Sequence, residues 1–193
     1  MTIETIEVAG LAGALTALRL PFGKEVRSGI NHFLSLNRYP LEEAKFDGGK
    51  MVMFKSSLNI FPHEKDLDLM QTLIKRGDEH AKVVRGINVW AKITAPIFWW
   101  CELETYRAGH ERLASESTMH IDCQGLSGDD LVKAKSEIPM GKELTKVDMF
   151  SYQTLRRIVV QRHNHRLPEW HQFIDWIKTL PLAEELILVG LEI

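Results

Sequence analysis

Cysteine is scarce in this chain: 193 residues carry two, Cys101 and Cys123, and they form no CxxC pair. That excludes a disulfide scaffold and fits a reduced, cytoplasmic protein with free thiols, in host cytoplasm if the chain is viral. No apolar run approaches the roughly 18 residues a membrane span needs, and MTIETIEVAG carries acids where a signal peptide needs bases, so no membrane association is expected. Charge of one sign is missing too. Twenty-four basic residues against 26 acidic ones leave a net charge of -2, which excludes a sequence-independent nucleic-acid binder and makes any anion site local. There is no glycine-rich phosphate loop, no GxSxG elbow and no HExxH, so the common nucleotide and hydrolase fingerprints are absent. Internal repeats and low-complexity segments are absent as well.

What is present is enough apolar material, 45% of residues, for one well-filled core, and a single domain over 1–193 is expected. TIETIEV alternates as a strand does, and AGLAGALTALRL then has helical spacing until Pro21 and Gly23. Lys24–Lys50 is turn-rich, and MVMF after it reads as a short buried strand. Leu67, Met70, Leu73 and Ile74 line a helix that starts after Pro62, with Glu64 and Asp66 near its positive end, and closes at Gly77. Asp78 caps a second expected helix running to about Thr94, with Ala81, Val84, Ile87 and Ala91 on one stripe; Pro96 opens a third. SGDDLVKAKSEI reads as a short amphipathic helix and IPMGKE as a loop. Residues 149–166 form a helix with the stripe Tyr152, Leu155, Val159, Arg162, another helix starts near Pro168 and stops before Pro181, and LILVGLEI suits a strand. The sum is an α+β (α/β) class chain: a helix-rich single domain with a small mixed sheet.

Chemistry concentrates in two places. TAPIFWWCELETYRAGHERLASESTMH packs a proline, two adjacent tryptophans, basic side chains and hydroxyls into one run. On a helix Trp99 and Trp100 lie about 100° apart, which suits two walls of a core or a stacking surface for a ligand. Ser115, Ser117 and Thr118 either cap the next element or donate to a phosphate. Glu102, Glu104 and Glu111 read as surface carboxylates, none marked as an acid or base. The second place is Arg162. A guanidinium entering an apolar stripe needs a carboxylate, a carbonyl or an anionic ligand to offset its desolvation, unless it snorkels to water. The cluster Arg162, His163, His165, Arg166 and His171 has no closed-site metal spacing and reads as a solvated basic helix end, so no metal is expected.

Taken in order, several pieces resemble the flavin-dependent thymidylate synthases. That family has a glutamate-histidine pair, an APIF-like segment running onto RHRxxSxNExSxRY, and a later helix reading NxRxxxNFLxLR followed by a tryptophan-containing stretch. The corresponding pieces here are Glu79-His80, Ala95-Pro96-Ile97-Phe98, TYRAGHERLASEST, SYQTLRRIVVQR and HNHRLPEW, covering roughly residues 75 to 176. The chain is also similar to small members of the superfamily carried by bacterial viruses, which share ITAPxxWW, STMH and LPEW-like pieces.

The resemblance implies a thymidylate synthase-like fold, a pyrimidine nucleotide (dUMP-like) as ligand, FAD as cofactor, methylation of dUMP to dTMP, and a homotetramer with sites built from several chains. It puts Arg162 on the arginine that contacts dUMP, as the catalytic candidate. Run ungapped, Thr105, Tyr106 and Arg107 fall on the RHR triplet and Ser115 on the later serine, with Ser117 and Thr118 in place of the terminal Arg-Tyr. A shift of two puts Arg107 on the first arginine and Ser117 on the serine; both registers stay open. Nucleotide-binding candidates are thus Arg107, Ser115, Ser117, Thr118 and Arg162, with Trp99 or Trp100 nearby, and cofactor-binding candidates are His80, Tyr106 and Arg107. The chain departs from the pattern at the Asn-Glu pair, which is lost, and at Ser151, Gln153 and Arg157, where the family has the Asn, Arg and Asn that help seat the flavin. Such losses remove the reaction but not a nucleotide pocket. A non-catalytic nucleotide-binding protein, such as a viral accessory or signal-sequestering factor, is therefore the alternative. A third reading is an interaction protein in which Arg162 serves only an ion pair.

Overall fold

The computed structural model describes residues 1–23 and 64–192, so Lys24–Lys50 and the expected MVMF strand lie outside the described residues. Strand β1 (Thr2–Ala9) leads through Gly10 into helix α1 (Leu11–Arg19). Gly10 is required there: its φ is +99°, and a Cβ would lie 1.8 Å from the Gly86 carbonyl oxygen. A 3-10 turn (Leu20–Phe22) follows, with Pro21 in its first positions and Gly23 at φ +59° ending it. Helix α2 (Glu64–Lys75) buries Met70 and Ile74 on the expected stripe and stops before Gly77, at φ +106°. Its Asp66, also buried, accepts from Arg19 Nε at 2.7 Å, which ties α2 to the end of α1.

The next stretch departs from the expected helix over 78–94. A 3-10 segment (Ala81–Gly86) is followed by strand β2 (Asn88–Pro96). Ala81, Val84, Ile87 and Ala91 are all buried, as the stripe required, but Val89, Ala91, Ile93 and Ala95 are buried in alternation. INVWAKIT satisfies both periods, and its β-branched and aromatic residues pair in a sheet. Helix α3 (Ile97–Leu103) starts after Pro96, as expected, and strand β3 (His110–Ser115) occupies the centre of the motif-like segment. Short helices α4 (Thr118–Ile121) and α5 (Gly128–Ser136) bury none of their residues.

Strand β4 (Glu143–Ser151) takes the first three residues expected to be helical, so helix α6 spans Tyr152–Arg162. Ser151 caps it, its Oγ accepting from Thr154 N at 3.2 Å. Helix α7 (Pro168–Lys178) begins at its proline as expected. The final segment holds helix α8 (Ala183–Leu186) and turns in place of a strand. Arg156 Nη1 donates to the Ile187 and Val189 carbonyls at 2.6 and 2.9 Å, taking up acceptors a strand neighbour would need.

The four strands form one sheet in the order β1-β2-β4-β3, antiparallel at every pairing rather than mixed. Its inner face, with Val89, Ala91, Ile93 and Ala95 of β2 and Leu144 and Phe150 of β4, belongs to the main core with α3, α6 and α7. Phe150 meets Phe173 and Trp176 with ring centroids at 5.7 and 6.4 Å, and Trp99 meets Trp100, Trp170 and Phe173 at 5.0, 5.1 and 5.3 Å. Burying rings of this size dominates the energetics of such a core. The paired tryptophans are therefore core walls, no more than 1% exposed, and are not available to stack on a ligand.

Candidate functional site

Arg162 lies at the last position of α6, where the Tyr152, Leu155, Val159 stripe meets the side of α3. Its Nη1 donates to Glu102 Oε2 at 3.0 Å and its Nε to the Tyr106 hydroxyl at 2.9 Å, while its guanidinium carbon stands 4.7 Å from the centre of the Trp170 ring. Planar stacking on an aromatic face and a carboxylate partner are the two features that make a half-buried guanidinium tolerable. Glu102 serves several donors: Trp170 Nε1 donates to the same Oε2 at 2.8 Å, and His165 Nε2 lies 3.5 Å from it. The anomaly in the apolar stripe is thus met by a carboxylate from α3. Arg162 keeps its Nη2 without a protein acceptor among the described residues.

Tyr106 is the hinge of this region. Its ring is buried against Trp170, its hydroxyl meets Arg162, and its carbonyl faces His110 Nδ1 at 3.2 Å. The turn that carries it is fixed by Gly109, at φ +76°, whose missing Cβ would stand 2.5 Å from both Ser151 Oγ and Thr154 Oγ1. Thr154 Oγ1 donates to the Ala108 carbonyl at 2.6 Å and Ser151 N to the Gly109 carbonyl at 2.8 Å, so the turn is locked onto the start of α6. Next to Tyr106, the Arg107 side chain is exposed, with no partner among the described residues.

A second polar group lies on the inner face of the sheet. Asp148, fully buried, accepts from His110 Nε2 at 2.8 Å and from Arg112 Nε and Nη2 at 3.1 and 3.3 Å. His110 also stacks on Phe150, with centroids 4.7 Å apart and planes within 4°. Arg112 Nη1 reaches Glu104 Oε1 at 2.5 Å, and that hydrogen bond holds the Glu104 carboxyl below its ordinary range. Sequence reasoning missed His110, Arg112, Lys146 and Asp148, and it took the half-buried Glu102 for a surface group, while Glu104 is exposed as expected. One signal was available: LTKVDMF puts Lys146 and Asp148 on the face opposite Val147 and Met149, but a strand's alternation does not say which face is inner.

The remaining candidates are spread out. His80 is an exposed residue preceding the Ala81–Gly86 segment. Ser115 ends β3, opposite Lys146 in the register, and its Oγ donates to the Glu116 carbonyl. Ser117 precedes α4, and Thr118 Oγ1 accepts from Lys135 Nζ. From His110 to Ser115 the strand advances roughly 16 Å from the turn that follows Tyr106, and none of the three hydroxyls bonds Arg162. The three positions assigned to the flavin by resemblance are internally engaged. Ser151 caps α6, Gln153 accepts from Arg85 Nε and donates to the Asp78 carbonyl at 3.1 Å, and Arg157 Nε donates to Asp78 Oδ2 at 2.6 Å. Among the described residues no three His, Cys, Asp or Glu side chains are grouped as a metal site, and no helix is long and apolar enough to cross a membrane.

No protein-family model matches the sequence, and no curated protein does. Solved structures do. A flavin-dependent thymidylate synthase, ThyX, from Helicobacter pylori, complexed with FAD and dUMP, aligns with 98% of this chain and 98% of its own at a TM-score of 0.61 and 13% identity. A second structure of that enzyme with FAD and dUMP aligns at 0.61 and 12% identity over 97% of each chain. The UMP/dUMP methylase PolB from Streptomyces cacaoi, bound with 5-Br dUMP, aligns at 0.56 and 14% identity over 98% of this chain and 95% of its own. A helix-rich chain around one small antiparallel sheet, matched over nearly its whole length, has the fold of the flavin-dependent thymidylate synthases.

Proposed function

We propose that this protein binds a dUMP-like pyrimidine nucleotide, with Arg162 as the central contact and Arg107 beside it. The observation that carries the reading is Arg162 itself: a stacked, half-buried guanidinium on the helix that follows β4, with Nη2 without a protein acceptor among the described residues. The fold likeness to proteins solved with dUMP and 5-Br dUMP supports the nucleotide class. Because β3 runs away from the Tyr106–Arg162 contact to Ser115, and Ser117 and Thr118 lie beyond its end, we read a phosphate site using both sets as drawing on more than one chain. This accords with a homotetramer, in which residues 113–140, exposing Leu113, Met119, Ile121, Leu126 and Val132, offer the apolar contact surface. We take the chain as one domain over 1–193, working in the cytoplasm.

The chemistry expected of this fold is methylation of dUMP to dTMP, with FAD supplying the reducing equivalents and the protein orienting and polarising the pyrimidine. Here Ser151, Gln153 and Arg157 are spent on contacts with Thr154, Arg85 and Asp78, and His80 is exposed, so the residues present fit FAD poorly. That observation favours the second reading, nucleotide binding without catalysis, as in an accessory or sequestering protein.

Calorimetric titration of dUMP, with a visible spectrum and a native mass on the same sample, tests both. Saturable binding that disappears in Arg162→Ala is expected, and absence of binding at millimolar dUMP would overturn the proposal. A colourless tetramer that binds dUMP supports the binding protein, whereas a yellow one carrying FAD restores the methylation reading.

A further inference from the structure

His110 has an acceptor at each ring nitrogen and little contact with water. Its Nε2 lies 2.8 Å from Asp148 Oδ2 and its Nδ1 3.2 Å from the Tyr106 carbonyl, while its side chain is 6% exposed. Phe150 covers one face of the ring, stacked at 4.7 Å and within 4°. A carbonyl oxygen only accepts. Arg112 donates to both Asp148 oxygens, the arrangement of a carboxylate, which has no proton to lend an imidazole. A neutral imidazole carries one N–H and meets one of these acceptors; the other then faces a lone pair. Only the doubly protonated ring donates to both.

The two contacts hold different things. Asp148 belongs to the sheet and keeps its bonds from Arg112 whatever the ring does. The Tyr106 carbonyl belongs to the turn between α3 and β3. In that turn the Ala108 and Gly109 carbonyls accept from Thr154 Oγ1 and Ser151 N, donors that do not change with pH near neutrality. The Tyr106 carbonyl is the one held by a titratable donor, and the Tyr106 hydroxyl is the one that accepts from Arg162 Nε at 2.9 Å. Because the shorter contact is to a full negative charge, a ring that gives up one proton keeps Nε2–H on Asp148 and loses it at Nδ1. The Tyr106 carbonyl is then left against a lone pair.

The charged groups on the sheet side of the ring are Asp148 of β4 and, through it, Arg112 of β3, with Glu104 at the end of α3 and Lys146 of β4 one contact further. On the turn side they are Arg162 of α6 and Glu102 of α3, reached through Tyr106. Phe173 and Trp176 of α7, behind Phe150, carry no charge.

We propose that His110 is a positioning residue whose charge holds the Tyr106 turn, and through it the Arg162 guanidinium, so that the Tyr106–Arg162 contact loosens as pH rises through the titration of this one histidine. The inference concerns that contact and not the nucleotide reading; absence of dUMP binding leaves it standing.

NMR of the full-length protein, labelled with 15N at histidine and arginine and followed from about pH 5 to about pH 9, tests this. His110 is expected to show both ring nitrogens protonated at the acid end, and Nδ1 rather than Nε2 is expected to become pyridine-like as pH rises. The Arg162 Nε–H signal is expected to shift with the His110 midpoint. His165, 3.5 Å from Glu102 Oε2, is the other titratable group near this guanidinium, so His165→Gln separates the two, and the Arg162 shift is expected to persist in it. His110→Gln keeps an amide donor without a titration and is expected to abolish the shift; if that variant does not fold, the midpoints in the unaltered protein decide alone. Loss of the proton from Nε2, or an Arg162 signal that follows His165 or does not move with pH, would overturn the proposal.

Discussion

Arg162 donates to Glu102 and Tyr106 and lies against Trp170, so its removal reaches beyond any ligand. Arg162→Ala is expected to lower stability by about 1–2 kcal/mol, because Glu102 keeps Trp170 Nε1 and access to water; urea denaturation checks this beside the dUMP titration. Asp148 is more critical to folding. It is fully buried under two cationic or imidazole donors, and Asp148→Asn leaves Arg112 facing a neutral amide, at an expected cost of about 3 kcal/mol or more. A loss below about 1 kcal/mol in denaturant titration would show that the cluster does not stabilise the sheet. Arg162 was legible in the sequence because a charge interrupts an apolar period. Glu102 was not, because its partners come from residues about 60 positions later and no local pattern records them.

At the scale of elements, the Tyr106 turn depends on two glycine-like demands at once, a left-handed φ and the absence of a Cβ. Gly109→Ala would press a methyl group against Ser151 Oγ and Thr154 Oγ1. The expected cost is about 2 kcal/mol, and Trp170 fluorescence should shift as Tyr106 moves from its ring. Unchanged stability would mean that the turn is not locked to α6. The turn was invisible in the sequence, where TYRAGHER reads as motif rather than as structure. β2 shows a different failure. Ile87, Val89, Ala91, Ile93 and Ala95 are buried at period two, while Ala81, Val84, Ile87 and Ala91 also mark a helical stripe, and only pairing with β1 and β4 decides between them. Both bulges of the sheet fall on edge strands, at Ile6 of β1 and Leu113 of β3, where an interrupted ladder discourages further pairing.

For the whole molecule, Tyr152 links α6 to the C-terminal segment by donating to the Pro181 carbonyl at 2.7 Å. Burial pushes its phenol well above the usual value, so the folded chain keeps this proton to higher pH than the unfolded chain. The resulting stability is complete below the unfolded value of about 10 and is lost as pH rises beyond it. Tyr152→Phe is expected to cost about 1 kcal/mol at neutral pH and to flatten this alkaline decline in melting temperature; an unchanged decline would assign it to other groups. From 116 to 143 the only buried residue is Cys123, so this segment contributes little to the monomer's core. If it joins subunits in the proposed tetramer, Leu126→Asp with Val132→Asp should lower the mass of the assembly in native spectrometry while leaving the unfolding of the core cooperative.

The sequence by itself determined the helices that carry their own punctuation: α1 before Pro21, α2 before Gly77, α3 after Pro96, α7 from Pro168. It also marked apolar positions of those helices that enter the core, Met70, Ile74, Leu155 and Val159 among them, and it located Arg162 as a charge out of place. Tertiary structure alone decided that 88–96 and 143–151 are neighbouring strands, that the tryptophan pair walls the core, and that Glu102 answers Arg162. It alone brought His110, Arg112, Lys146 and Asp148 together. Those outcomes depend on residues far apart in the chain meeting across a sheet, and the free energy of a buried charge is set by the partner it finds there rather than by its neighbours in sequence.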